Sequence, residues 1–197
     1  MASRSVVLPP GIKNSARRTI KSSLLKDSMT YTKYSYETNG AYTEVECTVL
    51  PGYDNPEHYH TLFAETFTCR SGLLTVTLDG KRLQLKPGEA ATVHIGHTHS
   101  LANTSDETVD FTCRLEPGYE GFEKAMYIMH GLAQDGATNS DGVPNSPVQL
   151  AILAAMMDTW LTGWAFWFAM PLLAIVRRYG KGYGVEAKLV GKYWNSD

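Results

Sequence analysis

The stretch Gly52-Tyr-Asp-Asn-Pro-Glu-His58-Tyr-His60-Thr-Leu-Phe-Ala-Glu65 brings two histidines and a glutamate close together in the chain. Residues two apart on a β-strand point to the same face, so the imidazoles of His58 and His60 can reach one ion. Glu65, after a short bend and on the next strand, adds a carboxylate oxygen. Two imidazoles and one carboxylate suit Fe, Mn, Ni, Co or Zn better than Mg or Ca. The stretch therefore predicts β structure that holds a divalent transition metal.

A second stretch, Gly88-Glu-Ala-Ala-Thr-Val-His94-Ile-Gly96-His97-Thr-His99-Ser-Leu-Ala-Asn103, offers a further ligand. Together the two stretches resemble the two motifs of the cupin superfamily. The first has the motif spacing without departure: glycine, five residues, His-x-His, four residues, glutamate, six residues and Gly72. The second agrees at the positions of Gly88, Gly96, His99 and Asn103. It departs only at His94, where the family pattern usually has proline. The resemblance extends from about Thr30 to Gly118.

The resemblance implies a small single-domain cupin in which four side chains hold one metal ion inside a double-stranded β-helix barrel. The implied ligands are His58, His60, Glu65 and His99. Fe(II) is the favoured ion, and Mn, Ni, Co or Zn are the alternatives. A degenerate cupin, in which the same residues only rigidify an empty barrel, is the competing interpretation. Because the cupin fold hosts many unrelated activities, the fold by itself does not identify the reaction.

The sequence around the two stretches has the pattern of antiparallel β structure. Short alternating runs rich in Thr, Val, Tyr and Phe follow one another from about Thr30 to Glu116, separated by turn signals such as Asp79-Gly80. We therefore predict an all-β fold, a double-stranded β-helix barrel of the cupin or jelly-roll type with a C-terminal helical extension. The predicted division is an N-terminal arm at 1–29, the cupin barrel at 30–118 and the helical extension at 119–197.

The extension is predicted to be helical because the pattern changes after Pro117-Gly118. Apolar residues then recur at a helical period, and Ser146-Pro147 supplies a cap and a first-turn proline for a second helix that runs to about Trp160. The following run, Trp160 to Val176, contains no charged residue, but it is short for a membrane span and is interrupted by a glycine and a proline. We expect helices packed on protein and a homodimer that covers the apolar surface. Contact with a membrane is the alternative.

The composition excludes one class of partner and indicates a compartment. The formal net charge is −2, which removes the main electrostatic reason to bind a nucleic-acid backbone. Cys47, Cys69 and Cys113 lie in strand-like runs, so we expect buried thiols of a reducing compartment. Residues 1–11 contain no apolar stretch long enough for a secretory signal, and a cytoplasmic protein is predicted. The basic stretch up to Lys26 also fits an organelle transit peptide, although a surface arm is the simpler interpretation.

The expected function is that of a metal-dependent enzyme acting on a small apolar or aromatic organic molecule. The predicted inward faces are apolar and include Val45, Val49, Phe67 and Phe111. The resemblance implies an oxidoreductase of the dioxygenase type that uses a three-His, one-Glu metal centre. His97 is a candidate catalytic proton carrier, because it lies two residues from a ligand. The alternatives are an isomerase, dehydratase or decarboxylase that uses the ion as a Lewis acid, or a cupin that only binds a small molecule.

Overall fold

Two antiparallel β-sheets enclose the core of the described part of the chain. The computed structural model describes residues 7–163, 175–176, 178, 180 and 182–196. The strands are β1 (Thr19–Ser22), β2 (Asp27–Lys33), β3 (Thr43–Val49), β4 (His58–Tyr59), β5 (Ala64–Ser71), β6 (Leu74–Leu78), β7 (Lys81–Leu85), β8 (Ala90–Val93), β9 (His99–Ala102), β10 (Val109–Glu116) and β11 (Trp160–Leu161). The α-helices are α1 (Pro10–Lys13), α2 (Glu120–Gln134), α3 (Pro147–Met156) and α4 (Val185–Leu189).

The order of the strands is that of a jelly roll. One sheet has the order β1-β2-β3-β10-β5-β8 and the other the order β11-β4-β9-β6-β7, and every pair of neighbours is antiparallel. Strands that are distant in the sequence, such as β3 and β10, are therefore neighbours in space, and the chain crosses repeatedly between the two sheets. The predicted all-β barrel with a helical C-terminal extension is confirmed.

Burial alternates along the strands with the period of two that the sequence predicts. In β10, Val109, Phe111, Cys113 and Leu115 are buried and the residues between them are partly exposed. Because successive side chains of a strand point to opposite faces, the inward set of each sheet meets the inward set of the other. The same alternation places the three cysteines in the core as free thiols, as the sequence predicts.

One turn of the barrel requires glycine. Gly72, between β5 and β6, has a φ of 74°, in the left-handed region that side chains disfavour. A Cβ at this position would lie 2.9 Å from Cγ2 of Val109 and 3.0 Å from the carbonyl oxygen of Thr108. Both the backbone conformation and the close approach of β10 thus account for the glycine that ends the first motif.

The six-stranded sheet begins before the predicted start of the barrel at Thr30. β1 pairs with β2, with Thr19 opposite Thr30, and β2 pairs with β3. Part of the predicted N-terminal arm is therefore a hairpin at the edge of this sheet. Exposed polar residues such as Lys21 obscure the alternation in so short a strand.

The helix α2 packs between the barrel and α3. Phe122 and Met126 belong to the barrel core. Ile128 faces the other way and packs with Ile152 and Leu153 of α3 in a second, smaller apolar cluster. The amphipathic period of α2 thus buries two faces, which attaches the helical extension to the barrel.

The helix α3 begins as predicted and ends earlier than predicted. The Ser146 hydroxyl accepts a hydrogen bond from the backbone N–H of Gln149, and Pro147 occupies the first turn. The expectation of a helix to about Trp160 was wrong, because Trp160 and Leu161 form β11, which pairs with β4. A left-handed residue, Asp158, turns the chain between the helix and this strand.

Most of the apolar run after Trp160 lies outside the described residues, because 164–174 are not among them. The packed helices predicted for this run therefore fall outside the part of the chain that the structure describes. In the part of the chain that the structure does describe, no helix combines the length and the apolar character that crossing a bilayer requires.

We predict that the α2–α3 interface contributes substantially to stability. Replacing the fully buried Ile152 by Ala removes apolar contacts and leaves a cavity, so the free energy of unfolding should fall by about 2–5 kcal/mol. Ile95→Ala is the matched control, because half of this side chain is exposed, and it should change stability by about 0.5 kcal/mol or less. Chemical denaturation measures both. Equal effects of the two substitutions would show that α3 does not pack on α2.

Candidate metal centre

Pairing of β4 with β9 places two histidines side by side. His58 is directly opposite His99, and the centroids of their rings are 4.2 Å apart. His60 immediately follows β4, and its ring centroid lies 4.9 Å from that of His58 and 5.4 Å from that of His99. The His-x-His spacing therefore directs both imidazoles toward the histidine of the second motif, as the sequence predicts.

The glutamate approaches from the opposite sheet. Glu65 lies on β5, and its Oε2 is 2.8 Å from Nε2 of His99 and 3.4 Å from Nε2 of His60. All four side chains are buried, and one candidate ligand atom from each lies within 4.8 Å of the others. The four residues that the sequence analysis singled out thus form one buried cluster, which is suited to holding a metal ion.

Outer hydrogen bonds fix which nitrogens face the centre of the cluster. Nδ1 of His58 is 2.8 Å from the carbonyl oxygen of Pro56, and Nδ1 of His60 is 2.9 Å from the carbonyl oxygen of Asp158. Because a carbonyl only accepts, both Nδ1 atoms carry the proton and donate it. The Nε2 atoms of both rings are therefore unprotonated and are free to bind a metal.

These atoms fit a transition metal ion. Nε2 of His60 is buried, and among the described residues no group donates a hydrogen bond to it. Burying such a lone pair without a partner costs free energy, and coordination to a cation removes that cost. Nitrogen ligands combined with one carboxylate match Fe, Mn, Co, Ni or Zn.

The charges of the cluster also suit a cation. Although burial opposes ionisation, the adjacent imidazoles of His60 and His99 hold the pKa of the Glu65 carboxyl well below its usual range. Burial lowers the pKa of His58 to about 4, which keeps this imidazole neutral near pH 7. For His60, burial is opposed by the nearby carboxylate of Glu65, and the net effect raises its pKa. An ionised glutamate and a neutral His58 are the forms that a metal ligand requires.

Two further contacts hold the cluster in place. The Cys113 sulfur lies 3.8 Å from Oε1 of Glu65, and burial raises the pKa of this thiol well above its usual value. The protonated thiol therefore donates a weak hydrogen bond to Oε1 and leaves Oε2 facing the histidines. On the other side, Phe63 stacks on the His60 ring with 4.3 Å between centroids.

The cluster lies in the wall of a cavity of about 740 Å³. Three of the four residues predicted to face inward, Val49, Phe67 and Phe111, line it, whereas Val45 is buried without being part of the lining. Sequence reasoning missed the contribution of the extension, which supplies Met126, Met129, Leu150, Ala154, Met157 and Leu161. In the sequence, the apolar character of these residues indicates burial but does not show that they line a cavity.

The two other histidines of the second motif lie outside this cavity. His94 and His97 are exposed, and Nδ1 of His97 is 2.6 Å from Oδ2 of Asp79. The same carboxylate accepts a hydrogen bond from the backbone N–H of Thr98, so the Asp79–His97 pair stabilises the loop before β9. Neither histidine lines the cavity, and the prediction that His97 carries protons stays a prediction.

Comparison with known proteins agrees with the geometry. Residues 45–114 match the family model Cupin_2, which describes a cupin domain. No curated protein matches the chain. The chain therefore carries a cupin domain at residues 45–114.

Several solved structures resemble the chain. A predicted oxalate decarboxylase from Thermotoga maritima is 18% identical, with a TM-score of 0.45 over 46% of this chain and 80% of that one. KdgF from a Halomonas species is 14% identical, with a TM-score of 0.47 over 54% of this chain and 94% of that one. The Cupin_2 domain of an XRE-family transcriptional regulator from Enterobacter cloacae is 17% identical, with a TM-score of 0.42 over 46% of this chain and 96% of that one. Nothing about activity follows from likenesses this distant.

We predict that the purified protein retains about one equivalent of a divalent transition metal after reconstitution and desalting. His60→Ala and His99→Ala should each lose most of it, because the remaining ligands bind more weakly and with poorer geometry. His97→Ala is the matched control and should keep the wild-type metal content, since its ring lies outside the cluster. Elemental analysis measures all four proteins. Wild-type protein that stays metal-free with Fe, Mn, Ni, Co and Zn would contradict the assignment.

Proposed function

We propose that the protein is a metal-dependent oxidoreductase of the dioxygenase type that acts on a small apolar or aromatic organic molecule. The observation that carries the proposal is the position of the cluster: His58, His60, Glu65 and His99 lie in the wall of a largely apolar cavity of about 740 Å³. A volume of this size is typical of sites for small organic ligands.

The four side chains would hold the ion and fix its charge. Three neutral imidazoles and one carboxylate leave a divalent cation with a net positive charge, which attracts an anionic group such as an enolate, phenolate or carboxylate. Such an ion acts as a Lewis acid, and Fe(II) additionally supplies electrons for the reduction of dioxygen.

The cavity walls would select and shield the substrate. Met29 and Phe111 come from the barrel, whereas Met126 and Met157 come from the helical extension. Apolar walls exclude water and strengthen the attraction between a bound anion and the site. The flexible methionine side chains adapt to irregular apolar shapes, so a planar or aliphatic carbon skeleton fits this lining.

The other lining residues decide which groups could remove a proton from a bound substrate. Isomerases and lyases need a general base within reach of the substrate. Burial raises the pKa of Cys47, Cys113 and Tyr53, so all three are neutral near pH 7. Asp27 accepts a hydrogen bond from His130. The carboxylates of Asp27, Asp54 and Asp141 also line the cavity and are the candidate bases for proton transfer. A Lewis-acid isomerase, dehydratase or decarboxylase is the alternative.

We predict that Fe(II)-loaded protein consumes dioxygen in the presence of a suitable member of a panel of phenols, 1,3-diketones and apolar carboxylic acids. A dioxygenase needs no further reductant, because both atoms of dioxygen enter the oxidised product. Turnover under labelled dioxygen should therefore give doubly labelled product, detected by mass spectrometry. His99→Ala should be inactive, and His97→Ala tests whether the exposed histidine contributes. Undiminished turnover under strict exclusion of oxygen, with no label in air, would eliminate the oxidative proposal and leave the Lewis-acid alternative.

We also propose that the protein is a cytoplasmic homodimer. Exposed apolar side chains such as Leu62 and Trp160 give a second copy a surface to cover. Three free cysteines without a disulfide among the described residues suit a reducing compartment. Light scattering in detergent-free buffer should give the mass of a dimer, whereas a monodisperse monomer would refute the dimer. Recovery only with membranes would favour the alternative of membrane contact.

A further inference from the structure

We propose that Asp158, in the C-terminal extension, is the positioning residue of the metal ligand His60. The inference rests on the proposed metal site and adds to it a residue outside both cupin motifs. Asp158 is separated from His60 by 98 positions in the sequence, and it belongs to neither sheet.

The backbone of Asp158 holds the ligand directly. Its carbonyl oxygen accepts the hydrogen bond from Nδ1 of His60 at 2.9 Å. This bond fixes the tautomer of the ring and directs the lone pair of Nε2 toward Glu65. Nδ1 of His58 donates the equivalent bond to the carbonyl oxygen of Pro56, two residues away in its own loop. The orientation of His60, in contrast, depends on a remote segment of the chain.

The carboxylate of Asp158 holds the bend that follows His60. Its Oδ2 accepts hydrogen bonds from the backbone N–H groups of Thr61 at 2.6 Å and Leu62 at 2.7 Å. Its Oδ1 accepts from the Thr61 hydroxyl and from Nε1 of Trp160, both at 2.9 Å. Asp158 is 7% exposed, so these charge-assisted bonds are shielded from water. Together they fix the distance between the Asp158 backbone and the His60 ring.

The strand β11, which follows Asp158, pairs with β4, the strand that carries the ligand His58. In β11, Leu161 pairs with His58 and Trp160 pairs with Tyr59. Since β4 is only two residues long and β9 covers one of its edges, β11 supplies the pairing on the other. The ligand strand β4 is thus paired on one edge with β9 of the barrel and on the other edge with β11 of the extension.

The backbone conformation explains why an aspartate suits this position. Asp158 has a φ of 51°, a left-handed conformation that Asn and Asp adopt more readily than most other residues. Asn preserves that conformation and one acceptor oxygen, whereas Ala preserves neither. These two variants therefore separate the contribution of the side-chain acceptor from a general disturbance of the loop.

The experiment compares Asp158→Ala and Asp158→Asn with wild-type protein. Asn39→Ala is the control, because Asn39 is also left-handed, with a φ of 52°, and lies exposed before β3 in a segment that carries no ligand. Three quantities are measured: the affinity for Co(II) by titration, the visible absorption spectrum of the Co(II) protein, and the tautomer of His60 in metal-free protein by ¹⁵N NMR at fixed pH.

We expect Asp158→Ala to weaken Co(II) binding by about 10- to 100-fold, as is usual when an outer partner of a ligand histidine is lost. Its Co(II) spectrum should change, and the Nδ1–H tautomer of His60 should no longer dominate. Asp158→Asn should restore part of each property, and Asn39→Ala should leave all three as in wild type. If Asp158→Ala does not fold, the comparison rests on Asp158→Asn, which should show the same changes in smaller measure.

An unchanged His60 tautomer in the Asp158 variants overturns the inference, whatever happens to the melting temperature. A loss of Co(II) affinity in Asp158→Ala no larger than that in Asn39→Ala also overturns the inference. Failure of the proposed metal site gives a different result: wild-type protein would bind no Co(II), while the tautomer comparison in metal-free protein would still decide the role of Asp158.

Discussion

A buried negative charge at Glu65 is the constraint on which the rest of the site depends. An ionised carboxylate inside a barrel is costly unless hydrogen bonds or cations compensate for it. His99 and His60 provide that compensation from the facing sheet, at 2.8 and 3.4 Å. A pairing of β4 with β9 that slipped by one residue would turn His58 away from His99, because alternate residues of a strand face opposite sides. The register of two short strands thus decides whether the charge has partners.

The residues that the sequence identified are those whose geometry is local. His58 and His60 share a face because they are two apart, Glu65 follows one bend later, and His99 is held in place by a motif of fixed spacing. The alternation of β3, β5 and β10 likewise predicted the strands, since a strand repeats every two residues whatever its neighbours are. Local periodicity predicted the strands and the shared face of His58 and His60, whereas the resemblance to the cupin motifs implied the barrel and the ligand His99.

The residues that sequence reasoning missed act through contacts between distant segments. Asp158 reaches the ligand loop only because α3 ends at Met156 and the chain then turns back along β4. An apolar pattern near Trp160 indicates burial, but it does not distinguish a longer helix from a short edge strand. The sequence likewise did not predict that His97 is exposed, because the orientation of its side chain depends on the loop that Asp79 stabilises.

The helical extension therefore has two structural roles beside the cupin barrel. It lines the cavity, and its strand β11 pairs with the ligand strand β4. Both roles contribute to function only if a metal ion binds to the four side chains of the cluster. The most direct measurement is X-ray absorption at the metal edge of the Fe(II)- or Co(II)-loaded protein. The account predicts a first shell of nitrogen and oxygen with the multiple-scattering signature of about three imidazoles, reduced in His99→Ala. A spectrum without imidazole scattering, or identical in wild type and His99→Ala, would contradict it.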